Sequence, residues 1–167
     1  MRIAMTKTHR SGFVCFVGRP NAGKSSLTNV LVGQKIAISS SKPQTTRHTI
    51  RGIVTRDNGQ MVIIDTPGLH RPRTLLGERL NHLVHETWAE VDVIGVCLPS
   101  DQRIGPGDTY LVNKIAELVN RPALVALATK TDLVSKQRLL SHLVDIDNLA
   151  KKVGIEWASV VPCSAVT

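Results

Sequence analysis

Apolar and polar positions alternate along this chain with two periods, and short continuous apolar runs separate them. Gly12 to Val17 is such a run and reads as a buried strand. A glycine-rich turn follows over Gly18 to Ser25, then a helix over Ser25 to Val32 with Leu27, Val30 and Leu31 on one face. Gln34 to His48 shows no period and reads as a mobile loop. Thr49 to Arg56 and Gln60 to Asp65 are strands, and the Asp57-Asn58-Gly59 between them is a hairpin signal. Gly77 to Glu90 is an amphipathic helix presenting Leu80, Leu83, Val84 and Trp88. Further on come a strand at Val91 to Leu98, a helix at Asp108 to Val119 with Leu111, Ile115 and Leu118 inward, and a strand at Pro122 to Ala128. A helix at Lys136 to Lys152 and a strand at Ile155 to Val161 complete the series.

Strands alternating with helices predict an α/β fold. Strands apolar throughout predict a mostly parallel six-stranded sheet with helices on both faces, and the hairpin adds one antiparallel edge strand. In such sheets ligands sit beyond the carboxyl ends of the strands, and the chemistry-bearing segments of this chain all fall there.

The first, Gly18 to Ser25 (GRPNAGKS), fits the phosphate-loop pattern and lies between a buried strand and a helix. Gly18 and Gly23 let the backbone through Arg19, Pro20, Asn21 and Ala22 curl so that the N–H groups it carries (Pro20 has none), up to the helix start at Ser26, face one anion. The helix N-terminus favours that anion. Lys24 brings a point charge to the β- and γ-phosphates, and Ser25 offers a hard oxygen to Mg²⁺. The second, Asp65-Thr66-Pro67-Gly68, comes about forty residues later at a strand end. Its carboxylate suits Mg²⁺, and Gly68 lets a backbone N–H approach the γ-phosphate; hydrolysis takes that phosphate away and frees the loop, as in a switch. Thr45 and Thr46 lie in the intervening loop, and Thr46 is preferred as the hydroxyl that completes the metal shell.

The third segment is Thr129-Lys130-Thr131-Asp132, followed by Leu133. One carboxylate accepts both the N1–H and the N2–H of guanine, so Asp132 reads the base, and adenine would leave it unpaired. The Lys130 stem can lie over the ring. Asn is usual where this chain has Thr129; the chain so lacks an amide that normally helps tie this loop to the phosphate loop and touch the base, and weaker nucleotide affinity is expected, without loss of specificity. Ser164 and Ala165, after the last strand, are placed for a backbone N–H to reach guanine O6. The residue after Gly68 is Leu69, which cannot orient a water where many GTPases have Gln. Arg19, Arg47 and Arg71 lie near the phosphates in sequence, with no reach that the sequence demonstrates.

At 167 residues the length suits one domain, with 42% hydrophobic and 20% charged residues. Residues 1–11 read as a polar, flexible N-terminus and 12–167 as the folded domain. No apolar run is long enough for a bilayer, no signal-peptide core follows the N-terminus, and Cys15, Cys97 and Cys163 lack metal-ligand spacing. A reduced, cytoplasmic compartment with buried thiols follows. The net charge of +8 favours anionic partners: nucleotides, RNA or an acidic membrane surface. Aromatics at 3% leave no platform for stacked bases.

GRPNAGKSSL, PQTTRH, DTPGLH, TKTD and SA, in this order and approximate spacing, resemble the bacterial Era GTPases over nearly the whole chain. The resemblance implies a GTP-hydrolysing switch that uses GTP, GDP and Mg²⁺ and assists small-ribosomal-subunit assembly by binding ribosomal RNA, with no DNA partner. It also implies a K⁺ held by Asn21 beside the phosphates, and a cytoplasmic place with peripheral contact at the inner membrane face. Relatives of this type carry a terminal helix and a KH domain with a Gly-x-x-Gly loop; no two glycines here are three apart, so neither is expected in this chain. A tRNA-modification GTPase domain and a nucleotide-binding module without turnover are the alternatives.

Overall fold

The computed structural model describes residues 9–33, 50–64 and 84–166. Strand β1 (Arg10–Val17) leads through the glycine-rich turn into helix α1 (Lys24–Val32). Strands β2 (Ile50–Arg56) and β3 (Gly59–Ile64) form the hairpin, turning at Asp57 and Asn58. Helical residues 84–90 (α2) precede β4 (Val93–Pro99), α3 (Pro106–Ala116), β5 (Ala123–Thr129), a 3₁₀ turn at Thr131–Leu133, α4 (Lys136–Val153) and β6 (Ser159–Pro162). The six strands lie in the order β2-β3-β1-β4-β5-β6. Among the described strands only the β2–β3 pair is antiparallel. The α/β sheet with one antiparallel edge is therefore as the hydrophobic pattern predicts.

Alternate residues of the central strands feed two cores. Cys15, Val17, Ile94, Val96, Leu98, Leu124, Ala126 and Ala128 pack with Val84 and Trp88 of α2, Leu111, Val112 and Ile115 of α3, and Ile146 and Leu149 of α4. On the opposite face Cys97 and Leu127 pack with Ala22 and with Leu27 of α1. Helices thus cover both faces, three described helices against one.

Several boundaries move. Arg10 and Ser11, expected in the flexible N-terminus, are strand residues paired with Gly59 and Gln60. The hairpin supplies that pairing, which residue polarity alone conceals. Val30, expected on the inward face of α1, is 55% exposed, because α1 buries only the stripe around Leu27. The last strand starts at Ser159 rather than Ile155: Ile155 and Trp157 pack against the main core from the segment before it. Cys15 and Cys97 are buried as expected, and burial pushes both thiols up to about 12; Cys163 is only half-buried. Leu80 and Leu83 of the expected Gly77–Glu90 helix lie outside the described residues, as do the Gln34–His48 loop with Thr45, Thr46 and Arg47, and Asp65, Thr66, Pro67, Gly68, Leu69 and Arg71.

Candidate functional site

β1 ends where the chain must turn sharply into α1, and the turn is built from unusual backbone. Gly23 has φ 92° and Asn21 φ 61°, a left-handed conformation that Asn tolerates. Gly18 has φ 153°, and a Cβ there would lie 2.7 Å from the Cys97 carbonyl oxygen, so the loop can pass β4 only as glycine. α1 then starts with no side-chain cap and no acidic residue in its first turn. Its first amides keep their donors for an anion. Lys24 Nζ donates to the carbonyls of Gly18 and Arg19, both at 2.8 Å, folding the ammonium over the loop. Burial lowers the Lys24 pKa from its usual 10.5, since a charged ammonium loses hydration there. Phosphate oxygens would reverse that shift.

The hydroxyl of Ser25 and the amide of Asn21 make no hydrogen bond among the described residues. Ser25 lines a cleft of about 180 Å³ with Lys24, Thr28, Arg51 and Ile64. Ile64 is the last residue of β3, so Asp65 follows it directly in the chain. An uncommitted hydroxyl beside a lysine suits a hard cation shared with phosphate. Among the described residues no cluster of His, Cys, Asp or Glu forms a metal site of its own.

The segment Thr129 to Asp132 follows β5, the strand next to β4. Thr129 is buried, and its hydroxyl donates to the Ala22 carbonyl at 2.7 Å. The amide is absent, but the two loops are still tied: a hydroxyl on a short side chain reaches the phosphate loop because the two loops lie in contact, with the Cβ of Thr129 3.6 Å from where a Gly23 Cβ would be. Lys130 is left-handed at φ 58° and its Nζ lies 3.3 Å from Asp101 Oδ2, a carboxylate in the loop after β4. Asp132 is exposed, and Ser164 donates its hydroxyl to Asp132 Oδ1 at 2.6 Å. Thr131 N–H donates to the Cys163 carbonyl, and Val166 N–H to Ser164 Oγ. The structure thus brings together Asp132, Ser164 and Ala165 at the ends of β5 and β6, with Leu133 exposed beside them. Asp132 does not cap α4; Ser135 does, accepting from the Arg138 N–H.

Sequence reasoning missed three contacts: Ser164 on Asp132, Asp101 on Lys130, and Arg19 on Asp108 at 2.7 Å. Each joins residues from different elements, and no local spacing signals it. The last gives the Arg19 side chain, whose reach the sequence does not demonstrate, a direction toward α3.

A glycine-rich loop opening a helix after the central strand, with a second loop hydrogen-bonded to it from the neighbouring strand end, defines a P-loop nucleotide-binding domain. The family model described as "50S ribosome-binding GTPase" matches residues 13–130, and the chain belongs to that family. It is 61% identical over 157 residues to GTPase Era of Streptomyces coelicolor, covering 94% of this chain and 49% of that protein. Its identity to GTPase Era of Mycobacterium avium is 61% over 158 residues, 95% of this chain and 52% of that one. The chain spans about half the length of the curated relatives it matches. Among solved structures, Era in complex with MgGDPNP and nucleotides 1506–1542 of 16S ribosomal RNA superposes with a TM-score of 0.72 at 31% identity, over 93% of this chain and 51% of that one. The resemblance to the Era GTPases is borne out.

Proposed function

We propose that this chain is a GTP-binding switch domain that hydrolyses GTP to GDP and phosphate. The observation that carries the reading is the 2.7 Å bond from Thr129 to Ala22, which joins a base-reading loop to a phosphate loop. Lys24 and the first amides of α1 hold the β- and γ-phosphates. Asp132, oriented by Ser164, takes the paired donors of guanine, with the Lys130 stem over the ring. Ser25 would hold Mg²⁺ together with Thr46 and Asp65; when bound, that ion supplies positive charge against the phosphate oxygens. Gly68 would offer its N–H to the γ-phosphate. In hydrolysis a water oxygen bonds to the γ-phosphorus as the bridge to the β-phosphate breaks, leaving GDP. Leu69 cannot orient that water, so turnover is slow.

The Asn21 amide, without a hydrogen bond among the described residues, supports a K⁺ beside the phosphates, which would offset charge on the leaving oxygen. The +8 charge supports ribosomal RNA as partner, in line with the rRNA-bound Era structure, and the three free cysteines support a reduced, cytoplasmic site. A peripheral contact with the inner membrane face draws on that charge alone; among the described residues no helix is long and apolar enough to cross a membrane. The tRNA-modification reading is not favoured, since the relatives above are Era GTPases.

Phosphate release from GTP, followed with and without Mg²⁺ and in K⁺ against Na⁺ at equal ionic strength, tests this reading. Release is expected only with Mg²⁺, faster in K⁺, insensitive to excess ATP and abolished in Lys24→Ala. Equal GTP affinity of Lys24→Ala and the unmutated chain would overturn the phosphate-loop assignment, and equal rates in the two salts would remove K⁺.

A further inference from the structure

Arg19, the second residue of the phosphate loop, sends its side chain toward α3. Its Nε donates to Asp108 Oδ1 at 2.7 Å and its Nη2 to the Arg103 carbonyl at 3.4 Å. Asp108 is fully buried, while the Arg19 side chain is 30% exposed. Asp108 is the third residue of α3, and its other oxygen accepts from the Gly105 N–H at 2.9 Å. One carboxylate therefore caps a helix and grips the phosphate loop.

Two observations mark this as a built contact. A guanidinium beside a helix N-terminus meets the positive end of the dipole, so the placement is unfavourable without the carboxylate between them. The Arg19 stem also passes Gly107 so closely that a Cβ at that position would lie 3.0 Å from Arg19 Cδ. The contact uses the charge of Asp108, and the bare backbone of Gly107 leaves the Arg19 stem room to reach it.

We propose that Arg19 and Asp108 are a positioning pair that sets the phosphate loop for the nucleotide, a role resting on the guanine-nucleotide reading above. The route is short. Lys24 Nζ is held by the carbonyls of Gly18 and Arg19, and the Arg19 carbonyl also accepts from the Ala22 N–H. A shift of Arg19 displaces two of the acceptors that place the ammonium. Asp108 prevents that shift by fastening Arg19 to α3, which is anchored in the core through Leu111, Val112 and Ile115. The guanidinium is thereby a strut to α3, and its charge is already matched by a carboxylate.

A double-mutant cycle on the full chain tests the pair, with GDP binding read by calorimetry, GTP turnover by steady-state kinetics and folding by thermal melts. Arg19→Ala and Asp108→Asn are each expected to weaken GDP binding about tenfold, the loss expected for one charge-assisted hydrogen bond. KM for GTP is expected to rise more than kcat falls, because loop placement acts on bound phosphate before the reaction. The double variant is expected to lose no more than the weaker-binding single, and Arg19→Lys to recover part of the loss. Additive losses, unchanged affinity in both singles, or tighter binding in Asp108→Asn would overturn the proposal; the last would make Arg19 a phosphate ligand that Asp108 restrains. If Asp108→Asn does not fold, Arg19→Ala against Arg19→Lys decides, since a bare structural role predicts a lower melting temperature without a change in affinity. An unmutated chain that binds no guanine nucleotide at all would overturn the functional reading and this pair with it.

Discussion

Thr129 has a single hydroxyl proton to donate, and it goes to the Ala22 carbonyl across the gap between two loops. Both residues are buried, Thr129 at 4% and Ala22 at 0% exposure, so no water replaces the donor if the hydroxyl is removed. Thr129→Val keeps the shape and strands that carbonyl, at a cost of about 1–3 kcal/mol. The cost falls on the joint between phosphate and base, so we expect Thr129→Val to lower the melting temperature and weaken GDP binding. Thr129→Ser keeps the donor and gives up one methyl, and its GDP affinity should stay close to that of the unmutated chain. Equal affinities for Val and Ser variants in calorimetry would show that the bond does not matter to nucleotide binding. Asp132 is tested by its acceptor count. Asp132→Asn replaces one acceptor oxygen with a donor, which fits the C2 carbonyl of xanthine and not the 2-amino group of guanine. The variant should bind xanthosine diphosphate more tightly than GDP; a retained preference for GDP in competition binding would mean that another residue reads the base.

At the scale of elements, stability rests on how each end is closed. α4 begins at Ser135, whose hydroxyl accepts from Arg138 N–H at 3.2 Å, and ends on Gly154 in the left-handed conformation. Ser135→Ala removes that acceptor and should cost about 1 kcal/mol, a fall of roughly 2–4 °C in melting temperature for a domain of this size. A thermal melt unchanged by the substitution would show that water replaces the cap. The same elements show what a sequence makes legible. β4, β5 and the carboxyl-terminal half of β1 run through the core, so they appear as continuous apolar runs, and the Asn58-Gly59 pair marks the hairpin. Among the described residues β6 pairs with β5 alone and is exposed throughout, so its own pattern is weak, while Ile155 and Trp157 before it carry the core signal. Hence the strand was legible and its start was not. In the site, residues within one motif were legible because a turn or a helix start fixes their spacing. The partners of Arg19, Lys130 and Asp132 come from other elements 89, 29 and 32 positions away, and only the sheet order brings them together.

Over the whole molecule, charge and aromatic placement decide what the chain can do with RNA. A net charge of +8 attracts any polyanion. Sequence-selective grip on single strands needs exposed rings on which bases stack. There are five aromatic residues, two Phe, two Trp and one Tyr. Trp88 is buried, Phe16 packs against the smaller core, and Trp157 donates its Nε1–H to the Ile146 carbonyl. Tyr110 is half-buried on α3, which leaves Phe13, at 45% exposure, as the aromatic residue most open to solvent. One ring is no platform, so under the proposed function contacts to phosphate would have to carry any affinity of this chain for RNA. Such contacts release counterions, and the logarithm of the binding constant should fall with that of salt by roughly 0.7 for each single-strand phosphate neutralised. We therefore expect a fluorescent RNA matching the 16S nucleotides of the Era complex and a scrambled RNA of equal length to bind equally, and both to be released on going from low to physiological salt. The scrambled strand separates charge from sequence, and the salt series separates phosphate contacts from stacking, which salt weakens little. Should anisotropy show the ribosomal sequence held at physiological salt while the scrambled strand is released, a base-reading surface lies within these 167 residues, and charge is not what binds the RNA.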